Sequence, residues 1–279
     1  EAPKTEAAKP AYEPQVGQPG KDVIWVPTPQ ETIDRMFGMA QLKPTDYVID
    51  LGSGDGRTVI TAAKRGVRAL GIEYNPDMVD LSRRNAAKEG VTERAQFVQG
   101  DIFKTDFSKA TVLTMYLLPR LNMQLRPTIL AMKPGTRVVS HDFDMGSWRA
   151  DAQREVPVPD KPYGAPVSQV YLWYVPANVA GRWEWRMGGA RVEADLQQTF
   201  QQVNVIAASS GGAVTIGDAQ LKGDALRFVL ALDTAGRRET WEFSGRVSGE
   251  RIDGSMKTGD GKTGEWSAVR TARGELRIE

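Results

Sequence analysis

Three glycines set two apart, Gly52, Gly54 and Gly56, follow the apolar run Val48–Leu51, and two acids, Asp50 and Asp55, stand among them. Glycines at this spacing let the backbone turn tightly and come close to a ligand, and a helix opening behind them offers unpaired N–H groups. The dinucleotide fingerprint would place its third glycine at position 57, where this chain has Arg57, and no Gly-Lys-Ser/Thr follows as a P-loop requires. Acids beside the loop suit a ligand that carries positive charge better than a pyrophosphate. Glu73 and Asp101 stand at the ends of two later apolar runs, and Tyr116 opens Tyr116-Leu117-Leu118-Pro119 after a third. His141 and Asp142 close a further run. A histidine there either exchanges a proton with substrate or is a hydrogen-bonded structural residue.

Composition narrows the chemistry. The 279 residues hold no cysteine and one histidine, which excludes thiolate nucleophiles, disulfides, cysteine-bearing zinc sites and His-rich motifs such as H-E-x-x-H, so no metal site is expected. Lys and Arg number 36 against 35 Asp and Glu, a balance that argues against a protein built to coat nucleic acid. No run approaches the roughly 18 apolar residues of a membrane-spanning helix.

The candidate residues need elements to hold them. Tyr47–Leu51, Ala69–Glu73, Ala95–Gln99, Thr111–Tyr116 and Arg137–His141 read as short buried strands. Helical spacing falls between them, over Thr58–Lys64, from an Asn75 cap with Pro76 at the first position to Gly90, and from about Arg120 to Met132. Thr28-Pro29-Gln30-Glu31 reads as a capping box with Thr28 at the N-cap and Pro29 at the first helical position, followed by Ile33, Met36, Phe37 and Ala40 at helical spacing. Alternating strands and helices predict an α/β fold with a Rossmann-like, doubly wound sheet, seven-stranded once runs near Glu155–Val158 and Gln169–Val175 close its edge as a hairpin. After Pro176 short strands recur with turns such as Lys222-Gly223-Asp224 between them, which predicts a small antiparallel all-β domain, barrel or sandwich. The expected division is a flexible, proline-bearing lead over 1–20, an α/β domain over 21–176 and a β domain over 177–279. The start at Glu1 without a methionine fits a removed export signal, and an artificial start fits equally.

Asp50–Gly56 resembles motif I of the class I, seven-β-strand methyltransferases that use S-adenosylmethionine. Glu73, Gly100-Asp101-Ile102 and Lys133-Pro134-Gly135 follow in the order that family shows. Within it, Trp25-Val26-Pro27-Thr28-Pro29, the loop wording and Tyr116–Pro119 are similar to the protein lysine methyltransferases related to the mitochondrial enzymes that modify the ATP-synthase c-subunit and the adenine nucleotide translocase. The resemblance covers roughly 22–150, and the β-rich remainder departs from those relatives. It implies S-adenosylmethionine as cofactor, S-adenosylhomocysteine as product and a protein lysine ε-amine as acceptor. It further implies that Asp50, Gly52 and Gly54 face the methionine part, Glu73 the ribose, and Asp101 with Ile102 the adenine, with Ser53 also among the cofactor-binding residues. Thr28 is a candidate for the methionine carboxylate, and Trp25 either roofs that end or packs. Tyr116 stands where many amino methyltransferases carry Asn-Pro-Pro-Tyr and is the candidate catalytic residue, orienting the acceptor nitrogen through its hydroxyl or the backbone behind it.

Two other readings share these residues: a small-molecule amine or hydroxyl acceptor, and a non-catalytic S-adenosylmethionine-binding protein that works through its β domain. The β domain carries no motif assignable to chemistry. It is a substrate-docking or homo-oligomer-forming module, or simply a half-buried barrel. The cofactor favours the cytoplasm, and the start at Glu1 keeps export as the alternative.

Overall fold

Short runs of buried apolar residues build the first sheet. In the computed structural model, which describes residues 11–279, its strands are β1 (Tyr47–Leu51), β2 (Arg68–Glu73), β3 (Ala95–Gln99), β4 (Val112–Met115), β5 (Arg137–His141), β6 (Ala152–Pro157) and β7 (Val167–Tyr174). Helices α1 (Gln30–Ala40), α2 (Arg57–Lys64), α3 (Pro76–Lys88) and α4 (Pro119–Leu130) fall among them. The strand order is β3-β2-β1-β4-β5-β7-β6. β1 runs parallel to both β2 and β4, with Asp50 opposite Gly71 on one side and Thr114 on the other, while β6 and β7 form an antiparallel hairpin. β1 is followed in sequence by β2 on one flank and later by β4 on the other. The carboxyl ends of these two neighbours therefore frame the crevice in which sheets of this kind take ligands. Burial explains the geometry: every residue of β4 is buried, and α1 buries Ile33, Met36, Phe37 and Ala40 on one face.

The opening of α1 differs from the predicted capping box. The helix starts at Gln30, Pro29 takes the capping position, and no side chain caps it. Thr28 does not serve as N-cap because its hydroxyl is engaged elsewhere, 3.2 Å from His141 Nδ1. The Asn75 cap does form, its side chain accepting from Asp77 N–H at 2.9 Å.

The expected flexible lead over 1–20 lies outside the described residues as far as position 10. Beyond it the chain is not a loose lead. Residues 17–25 fold back as a strap, with Gly17 N–H donating to Trp25 O at 2.8 Å, Trp25 N–H to Gln18 O at 2.9 Å and Gly20 N–H to Val23 O at 2.9 Å. Gly17 allows the turn by adopting a φ of 88°.

A second sheet has nine strands: β8 (Gly181–Met187), β9 (Ala190–Thr199), β10 (Gln202–Ser209), β11 (Ala213–Lys222), β12 (Ala225–Thr234), β13 (Arg237–Ser248), β14 (Arg251–Thr258), β15 (Thr263–Arg273) and the short β16 (Leu276–Arg277). They follow the order β10-β9-β8-β15-β14-β13-β12-β11, with β16 added parallel to β9. The end strands β10 and β11 lie side by side and bridge at Ser209 and Gly212, so the sheet curls into a nearly closed barrel rather than a sandwich. Its pattern has period two: on β9, Val192, Ala194 and Leu196 point inward, joining Trp185, Phe228, Phe243 and Trp266 in one aromatic core.

By compactness the chain divides otherwise than at a single cut near 176. Among the described residues one unit comprises 11–125, 138–144 and 150–172, and the other 126–137, 145–149 and 173–279. Among the described residues no helix is long and apolar enough to cross a membrane.

Candidate cofactor site

The loop after β1 takes the shape its glycines permit. Gly52, Gly54 and Gly56 all have positive φ, at 73°, 55° and 85°. At Gly54 the absence of a Cβ is a matter of space as well as backbone, since one built there would lie 2.6 Å from Trp25 Nε1. The loop is pinned to β2: Gly52 and Ser53 N–H both donate to Ile72 O, and Gly54 N–H donates to Glu73 Oε2 at 2.9 Å. Glu73 Oε1 accepts from Asn75 N–H at 3.0 Å, so one carboxylate ties the glycine loop to the start of α3. A carboxylate has about four acceptor positions, which leaves capacity on Glu73 for ligand hydroxyls.

Thr28, Asp50, Gly52, Ser53, Gly54, Glu73, Asp101, Ile102 and Tyr116, the residues the sequence put forward for the cofactor and for orienting the acceptor, line one cleft, whereas His141 does not. Ser53 contributes differently from expectation. Its hydroxyl is buried against Gly71 without a hydrogen-bond partner and its N–H is given to Ile72 O, so it shapes the loop that lines the cleft.

The acids differ in environment. Asp50 is buried, and burial, with repulsion from Glu73 and Asp55, pushes its carboxyl up to about 7 despite a 2.6 Å bond donated by Thr114 Oγ1. Asp101 is held below the usual carboxylate range, first by Phe103 N–H and then by Lys21 Nζ, which donate to its two oxygens at 2.9 and 3.0 Å. Lys21 belongs to the strap and also lies 5.0 Å from the centre of the Tyr74 ring. Lys21 carries no local sequence signal, since it pairs with a residue 80 positions away.

At Tyr116, one of the cleft-lining residues, the side chains after β4 and β5 meet. The Tyr116 ring lies 3.8 Å from that of His141, and its hydroxyl is 3.5 Å from Asp142 Oδ2. Burial first, then the Asp142 charge, pushes the Tyr116 hydroxyl up to about 12. His141 is fully buried, and burial lowers it to about 4. Ser168 Oγ lies 2.9 Å from Nε2 and Thr28 Oγ1 3.2 Å from Nδ1, so the neutral ring donates to one hydroxyl and accepts from the other. Of its two sequence readings, this geometry is that of the hydrogen-bonded structural residue.

The cleft fits S-adenosylmethionine on its own features: a glycine cradle in which a Cβ at Gly54 has no room, an acid at the end of β2, another after β3, and a buried carboxyl facing a ligand that carries positive charge. A profile of the ANTKMT methyltransferase domain matches residues 50–152. A protein-lysine N-methyltransferase of Saccharolobus islandicus (strain REY15A) is 46% identical over 129 residues, 45% of this chain and 80% of the relative. The lysine N-methyltransferase of the ATP synthase c-subunit from Xenopus laevis is 31% identical over 175 residues, 62% of this chain and 68% of that protein. Among solved structures, an RNA methyltransferase from Salinibacter ruber in complex with S-adenosylhomocysteine superposes with a TM-score of 0.50 at 47% identity, covering 55% of this chain and 96% of that one. Fold and cleft together define an S-adenosylmethionine-dependent methyltransferase. Identity at this level across most of a relative's length is decisive for the narrower grouping, and the chain belongs to the protein-lysine N-methyltransferase family.

Proposed function

We propose that the chain methylates lysine side chains of a protein acceptor. The observation that carries the reading is that Tyr116 and Leu117, from the turn between β4 and α4, line the same cleft as the glycine loop and the acids at the strand ends. Acceptor-side and cofactor-side groups thus share one space, as a direct displacement requires. When bound, S-adenosylmethionine supplies a methyl group on a positively charged sulfur, already an excellent leaving group.

The chain's own residues then have mainly to hold and orient. Asp50 and the close-approaching glycine loop over 52–54 take the methionine end, with Thr28 beside its carboxylate. Glu73 takes the ribose hydroxyls, and Asp101 with Ile102 the adenine. Tyr116 keeps its proton at any physiological pH, so its hydroxyl orients the acceptor nitrogen by hydrogen bonding and does not serve as a base. The acceptor amine must arrive at the displacement neutral, since only the free amine is a nucleophile. The near-zero net charge favours a protein over a nucleic acid as partner, and the cofactor favours the cytoplasm.

The test is transfer of tritiated methyl from S-adenosylmethionine into an extract of the source cells, sorted into protein, RNA and small molecules. Label on lysine in a protein band is expected, and a Gly54→Arg variant controls for other enzymes. Label confined to RNA, the acceptor class of the Salinibacter ruber methyltransferase, or to small molecules would overturn the reading.

A further inference from the structure

Asp142, directly after β5, takes no part in holding the cofactor, yet its backbone is held at φ 62°, in the left-handed region. A residue with a Cβ stays there only where its surroundings impose it, and such positions gather at functional sites. Here the β7 backbone imposes it: Asp142 N–H donates to Gln169 O at 2.7 Å, and Gln169 N–H donates back to Asp142 Oδ1 at 2.9 Å. The other oxygen, Oδ2, receives Lys161 Nζ at 2.5 Å and lies 3.5 Å from the Tyr116 hydroxyl. Lys161 comes from the turn joining β6 to β7 and also donates to Val167 O at 2.8 Å. Its side chain is 6% exposed, against 16% for Asp142. Lysine ammonium groups ordinarily stay in water, and a buried one implies a site shaped to receive it. His141 Nε2 is 3.5 Å from the same oxygen but is neutral, so Lys161 is the cation that balances the carboxylate.

A primary ammonium is thus already seated on a carboxylate beside the hydroxyl of Tyr116, a residue of the cofactor cleft. We propose that Asp142 receives the acceptor lysine as its ammonium, which sheds a proton to solvent before the free amine attacks the methyl group, and that Lys161 is its internal stand-in, occupying the carboxylate until an acceptor displaces it. The inference rests on the lysine reading and adds to it the residue that selects a protonated amine over a hydroxyl. A lysine tethered in the same chain competes at high effective concentration, so its removal strengthens binding of an external amine. Arginine in its place grips a carboxylate with two parallel bonds and is harder to displace.

The probe is n-butylammonium, a lysine side chain without its backbone, titrated by NMR into the full chain saturated with S-adenosylhomocysteine. Lys161→Met is expected to bind the probe at least tenfold more tightly than the unaltered protein, Lys161→Arg more weakly, and Asp142→Asn not measurably. Equal affinity in Lys161→Met and the unaltered protein overturns the proposal. Should Lys161→Met fail to fold, as circular dichroism would reveal, Lys161→Arg decides, and unchanged affinity there overturns it too. The lysine reading is scored separately. Lysine label in the extract without any split in probe affinity sinks the role of Asp142 alone. A split without lysine label leaves Asp142 as an ammonium site and sinks the protein-lysine acceptor.

Discussion

Asp50 and His141 are both buried and displaced from their ordinary titration in opposite senses, and each displacement has a measurable consequence. Asp50 titrates near 7 in the fold against 3.8 as a free side chain. It is therefore largely neutral at pH 6 and ionised at pH 8, where its charge favours a cationic ligand. The affinity for S-adenosylmethionine is expected to rise several-fold from pH 6 to 8 in equilibrium binding. Asp50→Asn should remove that rise and weaken binding at pH 8 by about tenfold, the equivalent of about 1.4 kcal/mol. Binding by Asp50→Asn that still strengthens with pH would assign the effect to another group. His141 titrates near 4 in the fold against 6.5 when free, so the unfolded chain binds its proton first. The stability its neutral form contributes is whole above pH 6.5 and is lost as pH falls toward 4, up to about 3 kcal/mol. Asp50 runs the other way, its contribution being whole below 3.8 and lost as pH rises through 7, so the two partly cancel in the unaltered protein. With His141→Asn the Asp50 contribution stands unopposed, so in melting curves between pH 7 and 4.5 the variant should gain stability relative to the unaltered protein as pH falls, and a difference between the two proteins that does not change with pH would refute the assignment.

Among the elements, the strap over residues 17–25 is the part that sequence reasoning misses. Strands whose burial has a simple pattern are legible nearly to the residue: Tyr47–Leu51, Ala95–Gln99 and Arg137–His141 have the bounds their composition predicts. The glycine loop and its acids are legible because backbone conformation and charge at fixed spacing leave few alternatives. The strap is not, because it continues a polar, proline-bearing lead, and what ties its fold-back to the site is a partner distant in sequence, Asp101. Thr28 misleads for a related reason. Its local pattern satisfies a cap, yet a histidine 113 positions away takes its hydroxyl. The Lys21–Asp101 pair is part-exposed, with side chains 34% and 15% accessible, and solvent screens such pairs so that each contributes little. Lys21→Ala should therefore loosen the strap without dismantling the site: association and release of S-adenosylhomocysteine both quicken in stopped flow, each within about fivefold, and the Kd stays nearly constant. Asp101→Asn, which loses the pair and the acceptor proposed for adenine, should raise the Kd at least tenfold. If Lys21→Ala weakened binding as much as Asp101→Asn, Lys21 would be a ligand group and the strap more than a cover.

For the whole molecule, the interleaved division matters more than the change of texture after Pro176. Residues 126–137 and 145–149 fall within the stretch that reads as a methyltransferase domain, but they belong to the unit that contains the barrel. The bonds are specific. Trp148 is fully buried, its ring 6.0 Å from Trp173 and stacked at 6.1 Å on Phe200, while its carbonyl accepts from Trp173 Nε1 at 2.8 Å. Arg126 donates to Ile278 O at 3.1 Å, and Gln201 donates to Arg149 O at 2.7 Å. A cut at 176 therefore severs more than a linker. It strips Phe200 from Trp148 and leaves Arg126 and Arg149 without these partners, exposing an aromatic surface whose burial is worth about 1.5–3 kcal/mol on its own. For a domain of this size each kilocalorie is about 2–4 °C in melting temperature, and the ring stack with both hydrogen bonds, about 2.5–6 kcal/mol together, amounts to about 5–20 °C. The chain ending at Pro176 is accordingly expected to melt about 5–20 °C below the full chain in calorimetry, or to aggregate, even though every residue proposed to touch the cofactor is retained. A fragment that melts within a few degrees of the full chain and still binds S-adenosylhomocysteine would show that 126–137 and 145–149 hold their places without the barrel, and that the β-rich unit is an appendage rather than a part of the folding unit.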